Sequence, residues 1–553
     1  MVAAVERRRR WVLAGLLLLD LALLMYLGRG LTFYFDEWNF VSEDYGGGLH
    51  ALLKAHVGNI SVFPILAYKV LFHLAGLNHY AVYRLAVALL HLLAAGLLYV
   101  LAARRVRPLT ALLATAMILF LGAAWEDLLW PFQIGYGLSI VGGLGAWVLL
   151  DRAERRADVG AMLCVILAAG SSSLGLAVIA GVAVELAWQR RWRQAWIVLV
   201  PLALYGLWYL GYGESQVTEA SLINAPGFVE DLAAAAFGAL VGRALEWGRP
   251  LALLGAAGLL VGLARPTRVS PRLAGLIATG LSLWIVTALA RSTISAPETS
   301  RYTYLGAVVI VLVCVEFVRA RDLDLRALGL AIPAVAFFAL TGLTAMHAGA
   351  LGLRSTSQRV TAELGALELA AAHAPPGYQP DPQLAPQILA GPYLHTVRAI
   401  GSSPADSPAR ILASEGASRA AADGILIALE TPKLAPVSPG GYSLAASAPT
   451  LLALTSGDRV QQGSCVALSP TARAGALTAV IDLPAGGVVI RDRQRVMPAV
   501  AMRRFAEGFT AIVTPPPPVG EAELTVAPDS ATIPWQVQMT SSTDFSICSL
   551  LGH

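Results

Sequence analysis

The sequence predicts an α-helical polytopic membrane protein with about eleven transmembrane helices, followed by a mainly β C-terminal domain. Hydrophobic residues make up 56% of the 553 residues, and charged residues make up only 14%. Apolar runs of membrane-spanning length recur up to about residue 346, after which Ala, Ser, Pro, Gly and Thr dominate. Soluble domains usually carry about 25% charged residues. Most of this chain is therefore expected to lie in lipid.

The predicted spans are apolar runs close to the roughly 20 residues that a helix needs to cross a bilayer. The first follows a basic segment, as a signal peptide does, but it is long and lacks an A-x-A cleavage pattern, so we interpret it as an uncleaved helix. The short fifth and sixth runs are joined by a Ser-rich segment and are also compatible with one broken or re-entrant pair. The runs lie near residues 11–29, 80–103, 109–125, 134–150, 159–172, 174–189, 195–211, 249–264, 273–290, 303–318 and 327–346.

The positions of the arginines predict the orientation, because cytoplasmic flanks of membrane helices retain Lys and Arg. Arginine groups occupy every second junction, within 7–10, 104–107, 152–156, 190–193, 265–272 and 319–326. We therefore expect an integral plasma (inner) membrane protein with a cytoplasmic N-terminus and an extracytoplasmic C-terminal domain. The net charge of +4 is scattered in this way, and nucleic-acid binding is not expected.

Four predicted outer loops, 30–79, 126–133, 212–248 and 291–302, hold most of the polar side chains. In the first loop, Asp36 and Glu37 come directly after the first span, and His56 follows later. The apolar stretch 60–76 is interrupted by Pro64 and by charged or polar residues. We interpret it as an amphipathic helix on the membrane surface.

This first loop resembles that of the GT-C glycosyltransferases. The features shared are an acidic pair, a His, a Pro leading into an amphipathic helix that ends in Gly, and an Arg that opens the second span. They stand here at Asp36-Glu37, His56, Pro64, Gly76 and Arg84. The family also carries an acidic pair in the second loop and, in several groups, an SRY-type segment near the lipid phosphate. The matching positions are Glu126-Asp127 and Ser300-Arg301-Tyr302, and the resemblance covers roughly residues 1–346.

The resemblance implies an inverting hexosyl- or pentosyltransferase that uses a polyprenyl-phosphate sugar donor. The acceptor would be a cell-envelope glycan, lipid or protein on the extracytoplasmic side. A carboxylate must take the proton of the acceptor hydroxyl, and Asp36 matches that position, with Glu37 as the alternative. One base suffices, because phosphate is a good leaving group and no covalent sugar intermediate is needed.

Arginine suits the leaving phosphate, since its planar fork matches phosphate oxygens. The predicted phosphate or substrate contacts are Arg84, Arg291, Arg301, Tyr302, His56, Glu126 and Asp127. The cofactor is undetermined, although Asp36, Glu126 and Asp127 would offer oxygen ligands to a divalent ion if they converge. Each residue also has an ordinary structural interpretation: solvated loop acids, an aromatic-belt cap, a loop-ordering histidine and arginines that snorkel to the membrane surface.

Two other functions are compatible with a polytopic chain of this kind. A transporter or flippase of lipid-linked glycans would carry internal repeats and polar residues along the middle of the bundle. A non-catalytic scaffold for envelope assembly would keep the fold and tolerate the loss of Asp36.

The C-terminal region, residues 347–553, is predicted to form a β-sandwich or jelly-roll domain with a possible role in carbohydrate binding. Strand-like pieces separated by Pro and Gly turns lie at 424–429, 477–482, 487–491 and 535–539. Cys465 and Cys548 are the two cysteines of this region. A disulfide between them is plausible if the domain faces an oxidising compartment.

Overall fold

The computed structural model describes residues 8–42, 46–152, 154–243, 245–264, 269–319, 325–437, 441–471, 475–492, 494–512 and 519–551. The chain divides into two compact units, Met1–Arg354 and Ser355–His553.

The first unit is α-helical. Its longer helices are α1 (Arg9–Leu27), α4 (Val62–Ala75), α5 (Tyr80–Ala103), α6 (Pro108–Leu119), α8 (Ile134–Leu150), α9 (Arg155–Ser171), α10 (Gly175–Trp188), α11 (Trp196–Tyr212), α12 (Glu219–Leu240), α13 (Leu245–Leu263), α14 (Pro271–Arg291), α15 (Thr303–Val318) and the start of α16 (Leu325–Leu369). Three short helices lie between them: α2 (Glu37–Ser42), α3 (Leu49–Leu53) and α7 (Trp125–Leu129).

Eight helical stretches in the described part of the chain are long and apolar enough to cross a membrane. They are Arg9–Leu27, Tyr80–Ala103, Pro108–Leu129, Pro131–Leu150, Trp192–Tyr212, Pro271–Arg291, Ser300–Val318 and Arg326–Leu369. Each coincides with one predicted run. The other three predicted runs lie on α9, α10 and α13, so a total of eleven crossings stays a prediction.

Close packing between these helices depends on small residues, as is common in membrane bundles. A Cβ on Gly181 of α10 would lie 1.8 Å from Thr279 Oγ1 of α14, and one on Gly275 would lie 2.8 Å from the Gly181 carbonyl oxygen. A Cβ on Gly175 would likewise lie 2.4 Å from the backbone of Ala168. The Ser-rich segment therefore joins two separate helices, α9 and α10, whose backbones are in close contact.

Ion pairs join several of the arginine-rich junctions at one end of the first unit. Asp151 accepts from Arg104 at 2.9 Å, from Arg105 at 3.1 Å and from Arg272 at 3.0 Å. Arg272 also binds Glu185 at 2.7 Å. The alternation of charged junctions thus corresponds to one end of the helix bundle, and its assignment to the cytoplasm stays the prediction from charge. Arg7, Arg265, Arg268 and Arg321 lie outside the described residues.

Two of the longer helices lie within the predicted outer loops. The stretch 60–76 forms α4, whose 14 residues reach about 21 Å at 1.5 Å per residue, less than the roughly 30 Å hydrocarbon core. Helix α12 occupies most of loop 212–248, where no helix was expected. It begins with a capping box in which Thr218 and Ser221 exchange side-chain and backbone hydrogen bonds. This capping box is the local signal for its start.

The second unit contains the helices α17 (Ala390–Ile400), α18 (Pro408–Ala413) and α19 (Gly416–Glu430), and two antiparallel sheets. The six-stranded sheet has the order β1-β9-β6-β11-β4-β3, and the five-stranded sheet has the order β2-β5-β10-β7-β8. The strands are β1 (Lys433–Pro436), β2 (Leu451–Thr455), β3 (Gly457–Gln462), β4 (Cys465–Pro470), β5 (Leu477–Asp482), β6 (Val488–Asp492), β7 (Ala499–Arg503), β8 (Thr510–Ala511), β9 (Glu521–Thr525), β10 (Gln536–Ser541) and β11 (Phe545–Ser549).

Three of the four expected strand segments match β5, β6 and β10, but the assignment of 424–429 to a strand was wrong. That segment is the last part of α19. A short apolar run does not distinguish a strand from a buried helix segment, and the preceding Ala-rich turn favours the helix. Cys465 of β4 and Cys548 of β11 form a disulfide, with their Cα atoms 4.0 Å apart and in register across neighbouring strands.

Candidate active site

A cavity of about 230 Å³ in the first unit is lined by residues of three predicted outer loops. Five of the residues proposed from the sequence line it: Asp36, His56, Arg291, Arg301 and Tyr302. The remaining lining residues are mostly aromatic or carry hydroxyl and amide groups, and they include Phe35, Phe40, Asn59, Ser61, Phe132, Gln133, Tyr136, Ser171 and Ser172. A carboxylate and two guanidinium groups therefore share one partly enclosed space.

Asp36 lies in the turn between the end of α1 and the short helix α2. The preceding residue, Phe35, has a φ of +46°, a backbone region that bulky side chains rarely adopt. The Asp36 carbonyl oxygen accepts a 3.1 Å hydrogen bond from the Asn39 backbone N–H, and Phe35 accepts an equivalent bond from Trp38. These backbone bonds contribute to the turn, and Asp36 is among the residues that line the cavity.

Glu37 is fully buried and is not among the residues that line the cavity. Its Oε2 accepts hydrogen bonds from the Tyr34 backbone N–H at 3.1 Å, the Tyr80 hydroxyl at 2.8 Å and Trp130 Nε1 at 3.2 Å. Its Oε1 accepts a short hydrogen bond from the Tyr68 hydroxyl. Burial raises the pKa of Glu37 to about 7, and these donors oppose the shift.

Glu126 joins the second loop to the segment that contains Arg301. Its Oε2 accepts a 3.0 Å hydrogen bond from the Arg301 backbone N–H, and the Glu126 N–H donates to Ser300 Oγ at 2.9 Å. Glu126 Oε1 lies 3.6 Å from Arg301 Nη1. These contacts hold the 3₁₀ turn Ser300–Tyr302 and leave the 25% exposed Arg301 side chain on the cavity wall.

Asp127 is buried beside this junction and is not a cavity-lining residue. Neither of its carboxylate oxygens is hydrogen-bonded within the described part of the chain. No group of three or more His, Cys, Asp or Glu residues that could hold a metal ion occurs among the described residues. Asp36, Glu126 and Asp127 therefore do not form such a group in the part of the chain that the structure describes.

His56 and Arg291 meet at a tight turn on the cavity rim. His56 and Asn59 exchange two backbone hydrogen bonds of 2.9 Å, across Val57 at φ +50° and Gly58 at φ +74°. Arg291 Nη2 donates to the Val57 carbonyl oxygen at 2.9 Å. The His56 ring packs edge-on against Phe40, with the ring centroids 5.3 Å apart. Arg291 thus both lines the cavity and holds this turn in place.

Arg84 belongs to α5, does not line the cavity, and contacts the C-terminal end of α1. Its Nη1 donates to the Met25 carbonyl oxygen at 3.2 Å, and the residue is 8% exposed. A Cβ on Gly28 would lie 2.3 Å from Arg84 Nη1, so glycine provides the space for the guanidinium. A cation at this position also interacts favourably with the helix dipole of α1.

A second cavity of about 220 Å³ adjoins the first. The two share Asn59, Tyr136, Arg291 and Tyr302. The remaining wall of the second cavity is largely apolar and aromatic, with Leu174, Leu176, Tyr205, Tyr209, Val286, Leu289 and Ala290 and with the loop 214–217. Sequence reasoning missed Asn59 and Tyr136, because Asn59 is one of many loop amides and Tyr136 stands inside a predicted span.

No family model and no curated protein matches this chain. Among solved structures, it is similar to ArnT from Cupriavidus metallidurans in the apo state, at 15% identity and a TM-score of 0.44, covering 70% of this chain and 84% of that chain. The same protein bound to undecaprenyl phosphate gives 16% identity, the same coverage and a TM-score of 0.44. The arabinosyltransferase EmbB from Mycobacterium smegmatis gives 13% identity and a TM-score of 0.30, covering 98% of this chain and 64% of that chain.

Proposed function

We propose that this chain is a membrane-bound, GT-C-type inverting glycosyltransferase that moves a hexosyl or pentosyl group from a polyprenyl-phosphate donor to a cell-envelope acceptor. One observation carries the proposal: Asp36, Arg291 and Arg301 line a single cavity of the helical first unit. Eight helices in the described residues, the last of which continues into the second unit, are long and apolar enough to cross a membrane. A base and two phosphate-binding cations in one cavity are the groups that this reaction requires.

Asp36 is the proposed general base. Its carboxylate takes the proton of the acceptor hydroxyl as the hydroxyl oxygen attacks the anomeric carbon of the donor sugar. The bond between that carbon and the phosphate oxygen breaks, and its electron pair stays on the phosphate. Because attack and departure occur on opposite faces of the sugar, the anomeric configuration inverts.

Arg291 and Arg301 are the proposed ligands of the leaving phosphate. Both guanidinium groups line the cavity that contains Asp36, and a planar guanidinium can bind two phosphate oxygens at once. The Glu126 contact fixes the backbone of Arg301, so this cation is positioned before the substrate arrives. Preorganised charges of this kind stabilise the transition state more than mobile ones do.

The donor is proposed to lie across the boundary between the two cavities. Its phosphate would contact Arg291 and Tyr302, which both cavities share. The sugar would occupy the first cavity beside Asp36, and the first isoprene units would occupy the second, whose wall includes Leu174, Leu176 and Leu289. In such a donor, the phosphate joins the polar sugar to the apolar isoprenoid chain. The second cavity has the more apolar lining of the two, which matches this order.

The proposed site of reaction is the extracytoplasmic face of the plasma (inner) membrane. The disulfide Cys465–Cys548 lies in the second unit and supports an extracytoplasmic location for that unit, since such bonds persist in oxidising compartments. We also propose that the second unit binds the acceptor glycan.

The experiment is a transfer assay with purified protein, a panel of polyprenyl-phosphate sugars labelled in the sugar, and cell-envelope extracts. The expected product carries the label with an inverted anomeric configuration, determined by NMR or by linkage-specific glycosidases. Arg301→Gln should raise the KM for the donor, whereas Arg249→Gln, at an exposed pair with Asp231, should not. Retention of configuration or the absence of transfer from every donor would contradict the proposal.

A further inference from the structure

The carboxylate of Glu37 is enclosed by hydrogen-bond donors from three separate segments of the first unit. Tyr68 belongs to α4, Tyr80 to α5, and Trp130 follows α7. Together with the Tyr34 N–H they direct four hydrogen bonds at a side chain that is 0% exposed. Such convergence is the pattern of a buried anchor, because each donor restrains the carboxylate in a different direction.

This anchor lies next to strained backbone. Tyr34 donates its N–H to Glu37, and Phe35, between Tyr34 and the proposed base Asp36, has a φ of +46°. An aromatic residue occupies this region only when the surrounding structure holds it there. The bond from the Tyr34 N–H to the Glu37 carboxylate spans this strained residue and closes the turn together with the 3.1 Å bond from the Glu37 N–H to the Tyr34 carbonyl oxygen. Asp36, which lines the cavity, lies within this turn.

We infer that Glu37 is a positioning residue, which holds the turn so that the Asp36 carboxylate faces the cavity, and that it exchanges no proton with the substrate. This inference rests on the proposed function, because it assigns Asp36 as the base. It separates the roles of two adjacent carboxylates: Asp36 in the cavity, and Glu37 behind it in a closed cage of donors.

The distribution of the four donors makes glutamine a diagnostic replacement. Both N–H donors, from Tyr34 and Trp130, bind Oε2, whereas Oε1 receives only the Tyr68 hydroxyl. In Glu37→Gln, the amide oxygen replaces Oε2, and the amide NH₂ donates to Tyr68, whose hydroxyl can rotate to accept. Glutamine thus keeps the anchor and loses the ability to act as an acid or base. Burial of the Glu37 carboxyl, which raises its pKa to about 7, favours a protonated form with this same donor pattern.

The experiment compares kcat and KM for wild type, Glu37→Gln, Glu37→Ala and Asp36→Asn, with rates normalised to folded protein by size-exclusion chromatography. Glu37→Gln should keep kcat within about threefold of wild type. Glu37→Ala should lower kcat by about a hundredfold at nearly unchanged donor KM, as expected when a catalytic group is displaced by about 1 Å. Glu37→Gln as inactive as Asp36→Asn, or Glu37→Ala with the kcat of wild type, would overturn the inference.

A second background separates positioning from a general effect on folding. In Phe35→Gly, the residue at positive φ is no longer strained, so the turn depends less on its anchor. The kcat loss caused by Glu37→Ala should then be about tenfold smaller than in the wild-type background, which corresponds to relief of one strained residue. An equal loss in both backgrounds would contradict a positioning role.

A structure of Glu37→Ala tests the inference without reference to activity. The expected result is a rearranged turn at Phe35, with the Asp36 carboxylate no longer on the cavity wall, and an unchanged turn in Glu37→Gln. An unchanged Asp36 in Glu37→Ala would overturn the inference even if the protein transfers no sugar. Full activity of Asp36→Asn would instead overturn the proposed function, while this structural result could still stand.

Discussion

Replacing Arg272 by methionine should lower the free energy of unfolding of the first unit by about 3–5 kcal/mol. Arg272 donates to both oxygens of Glu185, at 2.7 and 3.0 Å, and to Asp151 Oδ1 at 3.0 Å. The side chains of Arg272 and Glu185 are 7% and 3% exposed. Among the described residues, the substitution leaves the buried Glu185 carboxylate with the 3.3 Å bond from Gln189, and an uncompensated charge in such a site is strongly unfavourable.

The magnitude depends on which partner is removed. Removing both charges, in Arg272→Met with Glu185→Met, leaves no uncompensated charge at Glu185 and adds apolar contacts, so this double variant should lie within about 1–2 kcal/mol of wild type. Asp151 keeps its contacts with Arg104 and Arg105 in both variants. The double variant should therefore be about 2–3 kcal/mol more stable than Arg272→Met, and this difference plus the loss caused by Glu185→Met alone is the coupling energy between positions 272 and 185.

The assay is reversible unfolding in mixed detergent micelles, followed by tryptophan fluorescence, with the four proteins of the double-mutant cycle. Arg249→Met is the matched control. Its ion pair with Asp231 is 2.8 Å long, close to the 2.7 Å of the Arg272–Glu185 pair, but the Arg249 and Asp231 side chains are 52% and 27% exposed. That control should change the unfolding free energy by less than about 1 kcal/mol. An Arg272→Met effect as small as the control, or a double variant that is the least stable of the four, would refute the reasoning.

Three further predictions concern other parts of the molecule. Gly58→Ala should lower stability by roughly 1–3 kcal/mol, because φ is +74° and a Cβ would lie 2.5 Å from Gln216 Cγ; Gly206→Ala, with no atom within 4 Å of its Cβ, is the control in a thermal-shift assay. The pKa of Glu37 is raised from 4.5 to about 7, so its contribution to stability is complete below pH 4.5 and is lost as the pH rises through 7. Wild type should lose roughly 3 kcal/mol over that range relative to Glu37→Gln, and parallel pH profiles of the two would contradict this. Reduction of Cys465–Cys548, which closes a loop with a sequence separation of 83, should destabilise the second unit by about 2–5 kcal/mol, whereas a thermal transition unchanged by reductant would contradict it.

The helices of the first unit could be predicted because a run of about 20 apolar residues is the pattern of a helix able to cross a membrane. Each predicted apolar run lies on a helix, as expected of segments with the length and composition to cross a membrane. The alternation of arginine groups also corresponds to the structure, where Arg104, Arg105 and Arg272 meet at Asp151. Helix α12 was missed because its sequence mixes polar and apolar residues, and it packs against α13, α14 and α15.

The candidate site was predictable in part. Asp36, Arg291 and Arg301 line one cavity because loops at the same end of a helix bundle come together. The sequence does not show which of two adjacent carboxylates faces that cavity. That choice depends on Tyr68, Tyr80 and Trp130, which are distant in sequence and surround Glu37. The role of Arg84 at the end of α1 likewise depends on a tertiary contact, with the Met25 carbonyl oxygen.

The most direct test of the central claim is sugar transfer by wild type, Asp36→Asn and Glu298→Gln at equal amounts of folded protein, from the polyprenyl-phosphate donor that wild type uses best. Glu298 is an exposed carboxylate in the loop that also contains Arg291 and Arg301, and it does not line the cavity. We expect Asp36→Asn to lose at least about a hundredfold in kcat, as removal of a general base does, and Glu298→Gln to match wild type. Transfer by Asp36→Asn at the wild-type rate would contradict the assignment of Asp36 as the base and, with it, the proposed mechanism.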